Sequence, residues 1–316
     1  MDNDKHIHYS IVIPVYCNQG SLEKTYDKLL KEVVTYNKER LYEIIFVDDG
    51  SYDSSFAEIT KLRSRDPEHV KLIKFTRNFG QLAAVTAGYH LARGECIINI
   101  SADMQDPPSL INNMLDAYFN EHFEIVICTR EARDETLFRT ITSKIFYKIM
   151  KKLSFDNMPI GGFDFVLISE KVKKIILSKQ ETNAFWQGQI LWTGINIKFI
   201  PYRRAKREVG TSKWTTSKKI KYLIDGIMAY SYFPLRIMSV TGFIVSILGF
   251  IYAIDIFFEK IFAEVPIQGW APLMIIILVL SGIQMLMLGI VGEYLWRTLD
   301  QVRNRPTYII DKIYED

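Results

Sequence analysis

Apolar and polar positions fall into alternating blocks along the first half of the chain. The runs HYSIVIPVY, YEIIFVDD, VKLIKF, ECIINIS and FEIVICT are short and nearly continuously apolar, which predicts strands buried on both faces. Between them, residues 21–37, 53–65, 81–93 and 108–120 carry apolar residues at helical spacing. Strands and helices in this order predict an α/β fold with one mostly parallel sheet and helices on both faces. Farther on, helical patterns at 136–153, 170–178 and 183–193 surround the apolar run FDFVLIS and precede a strand-like NIKFIPY.

After Arg236 the pattern changes. The chain reads IMSVTGFIVSILGFIYAI without a charge, and residues 265–292 again carry none. A membrane-spanning helix needs about 20 mostly apolar residues, and both segments meet that length. Residues 216–232 mix Lys with Ile, Leu, Met and Tyr at helical spacing, which predicts a helix in the membrane interface, with Phe233-Pro234 turning the chain inward. The expected layout is a catalytic domain at 1–214, an interfacial helix at 215–234 and a first span at 235–258. A short external linker at 259–270, a second span at 271–295 and a tail at 296–316 complete it.

Charge sets the orientation. Residues 203–221 hold eight Lys/Arg and one Glu, and Arg297, Arg303, Arg305 and Lys312 follow the second span. By the positive-inside rule both termini and the N-terminal domain lie on the cytoplasmic side of the cell membrane. The polar start, MDNDKHIHYS, reads as having no signal peptide and agrees with that placement. A net charge of +3 is too small to point to nucleic acid. The basic run reads instead as attraction to lipid headgroups and phosphates. Cys17, Cys96 and Cys128 match no zinc or redox spacing and read as reduced structural thiols.

In sheets of this kind ligands bind beyond the carboxyl ends of the strands. Pro14-Val15-Tyr16 ends the first strand and offers a wall for a flat base. Asp48 and Asp49 end the second and can accept hydrogen bonds from base or ribose, although one of them could instead cap the next helix, the role given to Asp53. Arg77 and Asn78 end the third strand, and Gly80 opens a helix whose N–H groups could meet a sugar or phosphate. SADMQDPP after the fourth strand puts Asp103, Gln105 and Asp106 within one turn. Asp103 and Gln105 are the expected ligands of Mg²⁺ or Mn²⁺, the cation that neutralises a diphosphate leaving group. Asp106 is split between a helix-start cap and a site role. Arg130 and Arg133 follow the fifth strand, and Arg207, Ser212 and Lys213 sit in a Gly-bearing basic loop, all suited to an acceptor phosphate. No G-x-G-x-x-G follows the first strand, which argues against a nicotinamide-binding enzyme.

SIVIPVYCN, FVDDGSYDSS, TRNFGQLAAVTAGYHLARGE and SADMQDPP, in this order, resemble glycosyltransferase family 2 with its Rossmann-like GT-A fold. GTSKW and the closing GEYLWR…RPTYII resemble its polyisoprenyl-phosphate hexosyltransferase branch. The resemblance covers nearly the whole chain. It implies inverting transfer of a hexose, first choice glucose from UDP-glucose, to a polyisoprenyl (undecaprenyl) phosphate, and association of chains through the spans. It also implies nucleotide binding at Pro14, Tyr16, Asp48, Asp49, Arg77 and Asp103, and catalytic roles for Arg207 and Lys213. Asp164 matches the family's proposed catalytic base, yet a phosphate monoester is mostly dianionic at neutral pH and hardly needs one, so an orienting role stays open. Ser101 stands where relatives commonly carry an acidic residue, and Val166 where they often carry Arg. Trp186, Gln187 and Trp192 resemble the acceptor-side helix, with Trp192 assigned to core packing. Transfer to a growing polysaccharide, and a non-catalytic scaffold or lipid carrier, remain as alternatives.

Overall fold

Each apolar run of the first half becomes a strand, because a sheet covered on both faces buries every position along it. The computed structural model describes residues 6–130, 151, 155–159, 162–178, 181, 185–203, 224–262 and 269–315. Arg133, Arg207, Ser212 and Lys213 lie outside the described residues. Strands β1 (Tyr9–Val15), β2 (Tyr42–Asp48), β3 (Val70–Phe75), β4 (Cys96–Asn99), β5 (Ile125–Arg130), β6 (Val166–Ser169), β7 (Ile197–Tyr202) and β8 (Ile310–Tyr314) form one sheet. Its order is β7-β5-β6-β4-β1-β2-β3-β8. β4, β1, β2 and β3 run parallel, as do β5 and β7, whereas β6 opposes both its neighbours and β8 opposes β3.

The period of two along each strand sorts side chains to two cores. Ile11 and Ile13 pack with α1 (Leu22–Leu29), α2 (Ser55–Arg65) and α4 (Leu110–Phe119) on one face. Val12, Ile45 and Val47 pack with α3 (Gln81–Leu91), α5 (Glu170–Leu177) and α6 (Trp186–Trp192) on the other. Each such fully buried aliphatic side chain contributes about 1.5–3 kcal/mol. α3 lies unusually close to the sheet through Ala84, Ala87 and Gly88, since a Cβ on Gly88 would fall 2.3 Å from Val12 Cγ1. At the amino ends of the strands, away from the ligand loops, Lys71 Nζ meets Glu43 Oε2 at 2.6 Å, both buried. Glu43 Oε1 accepts from Ser10 Oγ and the Arg93 N–H, so one carboxylate ties β1, β2, β3 and the α3–β4 turn together.

Two features depart from the expected layout. The second apolar helix, α8 (Trp270–Val302), runs beyond residue 295, and the segment read as a plain tail returns to the sheet as β8. There the Thr76 N–H donates to the Ile309 carbonyl, Tyr308 stacks on Phe75 with ring centroids 5.0 Å apart, and Arg63 Nη1 donates to the Tyr314 carbonyl at 3.1 Å. Trp192, expected in the core, is 66% exposed at the last turn of α6, while Trp186 at its start is buried. α6 shows the core Trp186, Gln187, Gly188, Ile190 and Leu191, and Trp192 falls off that face.

α7 (Phe233–Phe262) and α8 are both long and apolar enough to cross a bilayer, over Phe233–Ile256 and Pro272–Val302. Their apolar side chains face outward, as lipid-facing helices require. Of the expected interfacial segment the structure describes residues 224–234: 224–230 are helical, 231–232 break the helix, and Phe233 opens α7. The helix at 224–230 is tied to α8 where Arg297 Nη2 meets Asp225 Oδ1 at 2.7 Å.

Candidate active site

The carboxyl ends of β1, β2, β3 and β4 converge, and their loops are laced by hydrogen bonds. After Tyr16, Cys17 takes a positive φ of 52°, and its N–H donates to Ser51 Oγ at 2.9 Å. Asn18 bonds back to the Tyr16 N–H and donates its own N–H to Ser55 Oγ. Tyr16 meets Tyr52 edge to face at 6.3 Å, and Tyr52 is largely exposed on the following loop. Asp53 accepts from the Ser55 N–H ahead of α2, although the cap position of that helix is Ser54.

Asp48 and Asp49 are both buried but do different work. Asp49 Oδ1 accepts the Phe79 N–H at 2.6 Å, and Oδ2 accepts the Gly80 N–H at 2.9 Å and Asn78 Nδ2 at 2.8 Å. The carboxylate therefore holds the β3–α3 corner, and the Gly80 N–H expected to meet a ligand is spent on it. Burial, opposed by these N–H bonds, lifts the Asp49 carboxyl to about 6. Asp48 Oδ1 accepts the Ser51 N–H, while Oδ2 is buried without a partner. Burial raises the Asp48 carboxyl as well. Gly50 closes the turn with φ +68°, and a Cβ there would lie 2.4 Å from the Arg77 carbonyl carbon. The Arg77 guanidinium is exposed and sits 4.6 Å over the Phe79 ring.

Beyond β4 the chain turns through Met104 at φ 57°. Ser101 Oγ lies 2.8 Å from both Asp103 Oδ1 and Asp106 Oδ2. Asp106 is only 1% exposed and does not cap α4, whose cap position is Ser109. Its other oxygen accepts from the Tyr202 hydroxyl, at the end of β7. Tyr202 is the register partner of Arg130 across β5 and β7. Arg130 Nη2 in turn pairs with Asp164 Oδ2. Burial works against the Arg130 charge, but Asp164, Tyr202 and Asp106 outweigh it and raise the guanidinium, so it stays protonated. Burial and the Asp106 carboxylate push the Tyr202 phenol up, which keeps it a donor.

Asp103, Ser101, Asp106, Tyr202, Arg130 and Asp164 thus form one chain of contacts from the acidic loop to the start of β6. Arg130, expected as a free hand for an acceptor phosphate, is committed to Asp164. Ser101, Asp103 and Gln105 offer hydroxyl, carboxylate and amide oxygens within one turn, the donor class a hard divalent cation takes. No group of three His, Cys, Asp or Glu side chains suited to a metal occurs among the described residues. The set therefore fits a cation that keeps water and phosphate oxygens as its other ligands.

The sequence profile of Glycosyl transferase family 2 matches residues 10–176, which span β1 through α5 and every loop just described except the end of β7. The chain belongs to glycosyl transferase family 2. This family 2 glycosyltransferase also matches the GtrB C-terminal hairpin over residues 233–297, the two apolar helices. It is 39% identical over 311 residues to the uncharacterized glycosyltransferase YkcC of Bacillus subtilis, covering 98% of this chain and 95% of that one. It is 33% identical to the SfII prophage-derived bactoprenol glucosyl transferase of Shigella flexneri, covering 96% and 97%. Among solved structures, the mannosyltransferase PcManGT of Pyrobaculum calidifontis, in complex with GDP-Man and Mn²⁺, superposes with a TM-score of 0.51 at 16% identity. That match covers 71% of this chain and 64% of that one and bears on the fold.

Within this glycosyltransferase, sequence reasoning missed Tyr52, Asn99 and Tyr202. Tyr202 carried a usable signal, since it ends NIKFIPY at the carboxyl end of a strand. Asn99 ends β4 in the same way. Tyr52 lies inside FVDDGSYDSS, between Ser51 and Asp53, where nothing in the pattern sets it apart from a solvated loop residue.

Proposed function

We propose that this glycosyltransferase moves a hexose, with glucose from UDP-glucose as first choice, onto a polyisoprenyl phosphate at the cytoplasmic face of the cell membrane. The observation that carries the reading is the continuous network joining the acidic loop at Asp103 to Asp164, in a chain that continues into two bilayer-length helices. Donor and lipid acceptor each have a place in that arrangement. The name of the Shigella relative supports an undecaprenyl-type acceptor.

Tyr16 and Tyr52 flank the base, and the buried Asp48 Oδ2 awaits a donor from the nucleoside. Asp103 and Gln105, with Ser101 beside them, would hold Mg²⁺ or Mn²⁺, which would supply Lewis-acid neutralisation of the leaving diphosphate. Asp164 orients the lipid phosphate, and one of its oxygens attacks the anomeric carbon. The C–O bond to the diphosphate breaks as the new one forms, and configuration inverts. Arg77, Arg133, Arg207, Ser212 and Lys213 supply further contacts to phosphates, and Arg207 and Lys213 take catalytic roles. The spans confine the site to the depth where the acceptor's headgroup lies, which raises its effective concentration.

The test is radiolabel transfer from a panel of nucleotide-sugars to undecaprenyl phosphate in reconstituted vesicles, with and without excess chelator. One labelled lipid product that chelator abolishes is expected. Absence of nucleoside diphosphate binding at every divalent-ion level overturns the reading, and full activity in chelator removes the metal from it.

A further inference from the structure

Asp164 sits in a short segment that is held far more firmly than an exposed loop carboxylate needs. Its neighbours Phe163 and Phe165 are both buried, one in each core, while the Asp164 side chain between them is 41% exposed. The backbone on either side of this carboxylate is gripped by two side-chain amides. Asn99 Nδ2, from the end of β4, donates to the Asp164 carbonyl at 2.7 Å. Gln187 Nε2, from the first turn of α6, donates to the Phe163 carbonyl at 2.6 Å. Both residues are almost wholly buried, Asn99 at 2% and Gln187 at 4% exposure.

The two amides are oriented by this contact alone. At such distances from a carbonyl oxygen only the NH₂ end can face it. The other end of each, Asn99 Oδ1 and Gln187 Oε1, is buried with no partner. Leaving a buried acceptor unmet costs more than one neutral hydrogen bond returns, so ordinary packing does not favour either arrangement. A buried polar group left unmet calls for an explanation, and function is a common one.

We propose that Asn99 and Gln187 are positioning residues that fix the main chain of Phe163 and Asp164, and so set where the Asp164 carboxylate meets Arg130 and the acceptor. This rests on the reading of Asp164 as the residue that orients the lipid phosphate. The clamp acts on the acceptor side. The donor loops at 48–51 and 77–80 are held by other bonds, those to Asp48 and Asp49.

The experiment compares Gln187→Met, Gln187→Asn and Asn99→Leu with Asp164→Ala, all as full-length protein in detergent micelles. The first removes the donor at similar volume, the second keeps the amide but shortens its reach. Four readouts are taken: kcat for transfer to undecaprenyl phosphate, hydrolysis of the same nucleotide-sugar by water, affinity for UDP, and melting temperature. A misplaced reacting group costs up to about 100-fold, so each clamp variant is expected to lose roughly 10- to 100-fold in lipid transfer. UDP affinity and hydrolysis by water should stay near wild type, a split that a merely structural role does not produce. If Asp164→Ala abolishes transfer while any folded clamp variant transfers at the wild-type rate, the clamp is overturned and the Asp164 reading stands. If Asp164→Ala itself transfers normally, the reading of Asp164 falls and the clamp with it. Equal loss of UDP affinity and transfer in the clamp variants also overturns the proposal.

Discussion

On the proposed donor side of the site a carboxylate is held mainly by main-chain N–H groups, whereas on the proposed acceptor side carboxylates are held by side chains distant in sequence. Asp49 takes its bonds from the corner at 78–80, thirty or so residues away. Asp106 takes one from Tyr202, 96 residues away, and Asp164 pairs with Arg130 on another strand. A site half built on backbone is sensitive to whatever moves the backbone. A site half built on side chains is sensitive to single functional groups.

The strongest way to break the donor half is therefore Gly50→Ala. Positive φ and a Cβ pressed into the Arg77 main chain together cost about 4 kcal/mol. The expected result is a marked loss of unfolding free energy with loss of UDP binding, read by denaturant titration and calorimetry. The same change at a site held by side chains would do much less.

A second test uses pH. The folded state lifts the Asp49 carboxyl to about 6, so between about pH 4 and 6 the native chain holds a proton that the unfolded chain has released. The stability from this group is full below about pH 4 and is lost as pH rises through 6, a change of about 2 to 3 kcal/mol. The denaturation midpoint of wild type, measured against Asp49→Asn over pH 4 to 7, should fall relative to the variant. A flat difference would mean that the N–H bonds to Asp49 outweigh its burial.

The smallest effect is expected on the acceptor side. Tyr202→Phe removes one hydroxyl from Asp106 and Arg130, worth about 1.5 kcal/mol. It should raise the KM for polyprenyl phosphate several-fold, leaving UDP affinity unchanged. An equal effect on both substrates would show that the network behaves as one unit and erase the contrast between the halves.

The same contrast explains what could be read from sequence. β1 to β4 and their loops were legible, because strands buried on both faces read as unbroken apolar runs and ligand loops follow their carboxyl ends. The placement of Asp48, Asp49 and Asp103 near ligand-facing ends followed from that rule, whereas Asp164, which precedes β6, was reached through the family resemblance. Their partners did not, since nothing in NIKFIPY or in Asn99 signals a bond to a residue tens of positions away. Asp106 could not be settled for the same reason. Its buried role depends on Tyr202 and Ser101 rather than on the Pro107-Pro108 that follows it. β8 escaped because IDKIY carries charge at two of five positions and pairs on one side only, so no hydrophobic run marks it.

The position of β8 in the chain also bears on how the molecule is made. The strand that covers the outer edge of β3 is encoded after both apolar helices, so during synthesis that edge stays bare until the hairpin has left the ribosome. A bare parallel edge is a template for joining with other chains. Completion of the sheet thus waits on synthesis of the apolar hairpin, and chains that stop short of β8 would keep a sticky edge.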